Sequence, residues 1–170
     1  MRTLRTVVFT AAAVLLAGSA AADPGEREAA AAAKRFWAAL AAADFEKLPS
    51  CYAPEVLLMA GSELLKPEWE VHPEADRSKD LRLSREQLIA GYRKLIGRVG
   101  TERWTGLFTK LDPEKISFRS VGPGEKAPSG VLPGDLVMTV ATGPGDDRLT
   151  FVLRRDKEGR WLVAVERTDY

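Results

Sequence analysis

The sequence predicts an α+β domain, with helices in its N-terminal half and antiparallel strands in its C-terminal half. Apolar residues recur at helical spacing over residues 26–42, and a capping-box pattern at 84–87 opens a second amphipathic stretch that ends at Gly100. From Trp104 onward, strand-length apolar segments alternate with Gly, Pro and Asp turn signals. We therefore expect three helices packed on an antiparallel sheet of about five to six strands.

Each predicted element has its own local signal. The first helix has an apolar face formed by Ala29, Ala33, Phe36, Trp37 and Leu40. A short second helix is predicted after Asp44, and Pro54 ends it because the residue before a proline disfavours helical conformation. A strand over residues 56–60 should follow, and the later strands are predicted at 104–111, 115–121, 135–142, 148–155 and 160–168.

The N-terminus has the pattern of a secretory signal peptide. Arg2 and Arg5 precede an apolar run, and small residues follow it up to Ala22. The run is shorter than the roughly 20 apolar residues that a membrane-spanning helix needs. We expect cleavage after Ala22, export to the periplasm or the medium, and a single domain over residues 23–170, with an uncleaved anchor as the alternative.

Composition excludes some classes of function. Lys and Arg total 25 against 24 for Asp and Glu, so no strong positive charge favours nucleic acid or an anionic membrane as a partner. Cys51 is the single cysteine, which leaves no disulfide within the monomer. No spacing of His, Cys and carboxylates is typical of a metal site, and no glycine-rich loop between a strand and a helix predicts a nucleotide cofactor. We expect neither metal nor cofactor.

A charged excursion over residues 66–83 interrupts the elements. Loops of this length in compact domains are often lids or binding loops. The polar and aromatic groups expected in or beside it are Glu63, Trp69, His72 and Asp80. His72 is the single histidine, and its ordinary pKa suits proton transfer, although a solvated loop histidine is the simpler reading. The excursion is interpreted as a lid or as a solvated insertion.

The order of elements resembles the NTF2-like, or SnoaL-like, superfamily. The resemblance is carried by "RFWAALAAADFEKLPSCYAPEV" at 35–56 and by the closing "RDKEGRWLVAVERTDY" at 155–170. It implies a cone in which a curved sheet wraps around the helices and leaves a pocket against the first helix. The expected lining residues, which could instead fill the cone completely, are Phe36, Leu40, Tyr52, Met59, Tyr92, Trp104, Phe151 and Trp161.

The resemblance to this superfamily does not by itself imply one function, since the same scaffold supports enzymes and binding domains. The polar positions of a ketosteroid-isomerase-type site fall on Phe36, Ala60 and Phe151, so that mechanism is rejected and no catalytic residue is assigned. We expect a non-catalytic domain that binds a small apolar ligand or serves assembly. The alternatives are a SnoaL-like acid–base enzyme and a dimeric interaction module that pairs through its outer sheet face.

Overall fold

The computed structural model describes residues 24–65, 72, 74–109, 116–141 and 148–168, so the predicted signal peptide at 1–22 lies outside the described residues. The helical elements are α1 (Pro24–Ala41), α2 (Leu48–Cys51), a 3₁₀ helix (Glu63–Leu65), α3 (Arg85–Val99) and α4 (Thr101–Thr109). The strands are β1 (Tyr52–Leu58), β2 (Leu81–Ser84), β3 (Ile116–Ser120), β4 (Leu136–Ala141), β5 (Arg148–Arg155) and β6 (Trp161–Thr168). These elements form an α+β fold, as the sequence predicts. Within the described ranges, no helix is long and apolar enough to cross a membrane.

The capping box predicted at the start of α3 is present. Ser84 Oγ accepts a hydrogen bond from the Gln87 backbone N–H at 3.2 Å, and Gln87 Oε1 accepts one from the Ser84 N–H at 2.8 Å. At the other end of α3, Gly100 has a φ of 84° and its N–H donates to the Ile96 carbonyl at 2.8 Å. Both predicted ends of this helix are therefore confirmed.

The strand predicted at 104–111 is wrong, because Thr101–Thr109 forms helix α4. The Trp104 backbone N–H donates to the Gly100 carbonyl at 3.0 Å. Its indole N–H donates to the Leu40 carbonyl at 2.9 Å, which joins α4 to α1. The aromatic and threonine content of this segment favours a strand, but packing against α1 overrides that propensity.

All six strands in the described part of the chain belong to one sheet, in the order β2-β1-β6-β5-β4-β3. Neighbouring strands are antiparallel except β1 and β6, which run parallel. The prediction of a purely antiparallel sheet is therefore wrong at this pair. Short connections set the direction of β4, β5 and β6, whereas β1 and β6 are far apart in the sequence and no local turn fixes their direction.

The end of the charged excursion is a strand. Residues 81–84 form β2, which pairs with β1 so that Leu81 lies opposite Leu58 and Ser84 lies opposite Glu55. β1 itself begins at Tyr52, earlier than the predicted 56–60. Because β2 is short and carries charge, its sequence pattern is typical of a loop. Its strand conformation depends on the pairing with β1.

The sheet has a hydrophobic core on each face. The face that packs against the helices contributes Val56, Leu58, Leu136, Met138, Val140, Leu149, Phe151, Leu153 and Val163. The opposite face carries a smaller cluster, formed by Leu57, Val121, Val131, Val152, Ala164 and Val165. Val121 and Val131 come from the connection between β3 and β4, so residues 121–135 cover part of the outer face. Pairing of two copies through that face stays a prediction.

Gly130 lies where this connection crosses the sheet. It has a φ of 76°, and an added Cβ would collide with Leu57 Cδ2. Its carbonyl accepts a hydrogen bond from Arg154 Nη2 at 2.7 Å. Glycine is therefore required here both for its backbone conformation and for the close approach to β1.

Replacing Gly130 with alanine should destabilise the protein more than replacing Gly124, which has nearly the same φ of 77° but open space around an added Cβ. Both variants incur the left-handed backbone penalty, on the order of 1 kcal/mol. Gly130→Ala should cost about 1–3 kcal/mol more because Leu57 must move. Urea unfolding of both variants measures the difference. Equal losses of unfolding free energy in the two variants would show that residue 130 does not pack tightly against Leu57.

Candidate functional site

A β-bulge turns the side chain of Glu166 into the core on the helix side of the sheet. In β6, Val163 lies opposite Leu153 and Val165 lies opposite Val152, so Ala164 is an extra residue between the two pairs. Simple alternation from Val163 would point Glu166 away from the helices. The extra residue changes the face of the sheet to which the later side chains point. Glu166 therefore points toward the helices, where it is fully buried.

Two tyrosine hydroxyls donate to this carboxylate. The Tyr52 hydroxyl donates to Glu166 Oε2 at 2.8 Å, and the Tyr92 hydroxyl donates to Oε1 at 2.5 Å. Both tyrosines are also buried, and they come from β1 and α3. The three side chains therefore form a polar cluster inside an otherwise apolar core, and each carboxylate oxygen has a partner.

Burial dominates the electrostatics of the cluster. Removal from water raises the pKa of Glu166 from 4.5 to about 7, although the hydrogen bonds from Tyr92 and Tyr52 oppose the rise. Burial and the adjacent Glu166 raise the pKa of Tyr52 well above its usual value. Glu166 therefore exchanges a proton near neutral pH, while Tyr52 remains a hydrogen-bond donor.

Tyr52 and Tyr92 belong to this cluster, and four more of the predicted lining residues pack in the same core. The Phe36 ring lies 5.3 Å from the Tyr52 ring and 4.8 Å from the Phe151 ring, centroid to centroid. The Tyr92 ring lies 6.0 Å from the Trp104 ring. Leu40 joins the set through its carbonyl, which accepts the Trp104 indole hydrogen bond. All six are buried in the same helix-side core, which therefore surrounds the two tyrosines with apolar side chains.

Met59 and Trp161 are only partly buried. Met59 packs with the cluster on the outer face of the sheet, because it follows β1 one position after the inward-facing Leu58. Trp161, at the start of β6, packs against the helix-side core and also borders a groove along α1. Met59 therefore lies on the opposite face of the sheet from Phe36, and the role of Trp161 in lining a ligand pocket stays a prediction.

The 3₁₀ helix lies against the two elements that carry Tyr92 and Glu166. Glu63–Leu65 contacts α3 and β6, and Leu64 and Leu65 are each only 1% exposed. This turn joins the end of β1 to the excursion. It therefore contributes to the cover over the helix-side core, and it includes Glu63, one of the residues predicted beside the excursion.

The other predicted excursion residues do not gather at Glu166. Trp69 lies outside the described residues. His72 is half-buried, and burial with the nearby Lys94 charge lowers its pKa. Asp80 is exposed and accepts a hydrogen bond from the Ala60 N–H at 2.9 Å, which lowers its pKa and fastens the excursion to the end of β1. Asp80 thus has a structural contact, and the lid itself stays a prediction.

The positions tested for ketosteroid-isomerase-type chemistry carry no ionisable side chain. Phe36 and Phe151 are packed rings in the core, and Ala60 follows β1 with its N–H bound to Asp80. Over the described ranges, no group of three or more His, Cys, Asp or Glu side chains could hold a metal ion. Glu166 is the functional candidate that the sequence analysis missed. A charged residue inside the apolar "LVAVERT" was the available signal.

Comparison with known proteins does not identify a family. No family model and no curated protein matches the chain. A DUF4783 family protein from Bacteroides ovatus is 12% identical, with a TM-score of 0.36 over 80% of this chain and 93% of that one. A proposed calcium/calmodulin-dependent protein kinase II association domain from Xanthomonas campestris is 20% identical, with a TM-score of 0.40 over 88% and 91%.

A proposed dehydratase from the NTF2-like family of Streptomyces avermitilis is 16% identical, with a TM-score of 0.34 over 84% of this chain and 93% of that one. At such low TM-scores and identities these likenesses do not establish a shared fold, and no inference about function rests on them.

The contribution of Glu166 to the free energy of unfolding should fall as the pH rises from about 4.5 to about 7. In this window the folded protein keeps a proton that the unfolded chain has lost, because the pKa of Glu166 is about 7 in the fold against 4.5 ordinarily. Above this pH window the free energy of unfolding has lost the whole contribution of Glu166, on the order of 3 kcal/mol. Glu166→Gln removes the titration and should remove this pH dependence.

Urea unfolding of the wild type and Glu166→Gln at several pH values between about 4.5 and 8 tests this. Glu55→Gln is the matched control, since the Glu55 side chain is 62% exposed and pairs with Arg82 on the surface. A free-energy difference between the wild type and Glu166→Gln that stays constant across the window would contradict the raised pKa.

Proposed function

We propose that the chain is an exported small-molecule-binding domain with an NTF2-like fold, and that its ligand binds on the helix side of the sheet beside Glu166. The observation that carries the proposal is a fully buried carboxyl group, Glu166, that accepts hydrogen bonds from two of the predicted lining residues, Tyr52 and Tyr92. Binding sites commonly combine apolar walls with a few placed polar groups, which enclose the body of a ligand and fix its orientation.

The order of elements supports the NTF2-like part of the proposal. Helices α1 and α2 precede β1, α3 follows β2, and an antiparallel run ends in the Trp-bearing strand β6. This is the order that the resemblance of residues 35–56 and 155–170 implies. The signal-peptide pattern at 1–22 supports export.

The chemistry of the cluster favours a small, largely apolar ligand with one hydroxyl or amine. Such a group can take the place of one tyrosine hydroxyl and donate to Glu166, so the carboxylate keeps both of its partners. The aromatic rings of Phe36, Phe151 and Trp104 would contact the apolar body of the ligand. Since these side chains are buried now, the ligand displaces part of their packing.

Access to the cluster requires movement of its cover. Leu64 and Leu65 lie in the 3₁₀ helix that packs against α3 and β6. We infer that this turn opens for ligand entry, together with the excursion at 66–83 that follows it. In this account the lid closes over the ligand and excludes water from Glu166.

An acid–base enzyme of the SnoaL-like kind is the second candidate, favoured by the pKa of Glu166. A carboxyl group with a pKa of about 7 is matched to proton transfer at neutral pH. Glu166 would then be the acid or base, with Tyr52 and Tyr92 positioning it. Turnover of a bound ligand, in addition to its binding, distinguishes this candidate.

Native mass spectrometry of the protein, purified after expression of the full 170-residue chain, tests the binding proposal. The wild type should carry a small-molecule mass that leaves on denaturation, or should bind added 1-naphthol, which has one hydroxyl on an apolar body. Glu166→Gln should weaken 1-naphthol binding by about tenfold or more, because the charge-assisted hydrogen bond is lost.

Glu55→Gln is again the control and should bind like the wild type. Equal binding by the wild type and Glu166→Gln would contradict the role of the carboxyl group. A wild-type protein that carries no ligand, takes up no 1-naphthol and forms a stable dimer would instead favour the interaction module.

A further inference from the structure

A groove of about 450 Å³ lies on the solvent side of α1, away from the Glu166 cluster. Three alanines of α1 and the alanine just after its end form its wall, and Trp161 and Cys51 border it from β6 and α2. The alanines are Ala32, Ala38, Ala39 and Ala42. A second depression shares Ala32, Arg35 and Trp161 and continues to Gly159 in the β5–β6 turn. The volume lies within the roughly 300–1,000 Å³ of ordinary ligand sites.

Arg35 distinguishes this groove from the rest of the charged surface. The other cations that line the two depressions are paired, Lys47 with Asp44 at 2.6 Å and Arg160 with Asp156 at 2.7 Å. The lining carboxylate Glu28 pairs with Arg155 at 3.0 Å. Arg35 lines both depressions but makes no hydrogen bond or ion pair with any described residue. The two carboxylates near the groove are thus already neutralised, and one guanidinium is left over.

The guanidinium of Arg35 acts inside the groove. Burial raises the pKa of the Cys51 thiol, and a hydrogen bond with Ser50 and the positive charge of Arg35 oppose that rise. The charge of Arg35 therefore reaches the end of the groove where Cys51 lies. An unpaired guanidinium beside an apolar wall is the group that recognises a carboxylate attached to a hydrocarbon.

Trp161, which borders the same groove, carries a hydrogen-bond donor that no described residue uses. Its Nε1 atom is buried and has no hydrogen-bond partner among the described residues. A buried indole N–H normally has an acceptor, so its absence here needs an explanation.

We propose that this groove is a binding site for a small carboxylic acid with an unbranched or aromatic apolar body. The carboxylate pairs with Arg35, and the hydrocarbon lies along the alanine wall beside Trp161. The small alanine side chains along α1 and just after it leave room for the groove. This site is separate from the ligand space proposed beside Glu166.

Decanoate is the probe for this site, and 1-decanol is its neutral counterpart. Binding is measured by isothermal titration calorimetry and by protection of Cys51, the single cysteine, from alkylation by iodoacetamide. Decanoate should bind about tenfold or more tightly than 1-decanol, because only the acid pairs with Arg35. Bound decanoate should slow alkylation of Cys51 severalfold.

Three variants locate the bound probe. Arg35→Gln should weaken decanoate binding by about tenfold or more, whereas Lys34→Gln, which removes the adjacent exposed cation outside the groove, should leave it unchanged. Ala38→Leu fills the groove from an exposed position and should abolish both binding and Cys51 protection. Circular dichroism and urea unfolding confirm that each variant is folded.

Three results would overturn the proposal. The first is no detectable decanoate binding to the wild type at about millimolar concentration, the weak limit for a specific small-molecule site. The second is an equal loss of decanoate affinity in Arg35→Gln and Lys34→Gln, which would mean that decanoate is attracted non-specifically to positive surface charge. The third is binding that Glu166→Gln abolishes but Ala38→Leu does not, which would place decanoate in the interior and not in the groove.

Discussion

The burial of one carboxyl group between two tyrosine hydroxyls is the constraint on which the helix side of this molecule depends. Glu166 lies on β6, Tyr52 on β1 and Tyr92 on α3, so a single cluster fixes two parallel strands and a helix relative to one another. Removing one partner from a buried charged group commonly lowers the free energy of unfolding by about 3–5 kcal/mol. The aromatic residues around the cluster keep water out, which raises the pKa of Glu166.

The bulge at Ala164 makes this arrangement compatible with a two-faced sheet. Before the bulge, Val163 faces the helices, and after it Val165 faces the opposite core. Because side chains alternate along a strand, one inserted residue is enough to exchange the two faces. β6 can therefore bury apolar residues on both sides and still direct one carboxyl group inward.

The sequence predicts most clearly what is encoded locally. The capping box at Ser84 and the stop at Gly100 define α3, and helical spacing places Phe36 and Leu40 in the core. Trp104 was misassigned because its position depends on contact with α1, and the parallel β1–β6 pair depends on distant segments. Glu166 was missed for the same reason, since the bulge that turns it inward is a property of strand pairing and not of the strand's own residues.

The interior carboxyl group and the groove along α1 offer different chemistries. The first is enclosed and titrates near neutral pH, and the second is open and permanently positive. The raised pKa of the buried Glu166 carboxyl group is tested most directly by a ¹³C NMR titration of the glutamate side-chain carboxyl groups. The Glu166→Gln variant assigns the signal. We predict a midpoint near pH 7 for Glu166. A midpoint near the ordinary value of 4.5 would contradict the buried Tyr–Glu–Tyr cluster and the function proposed from it.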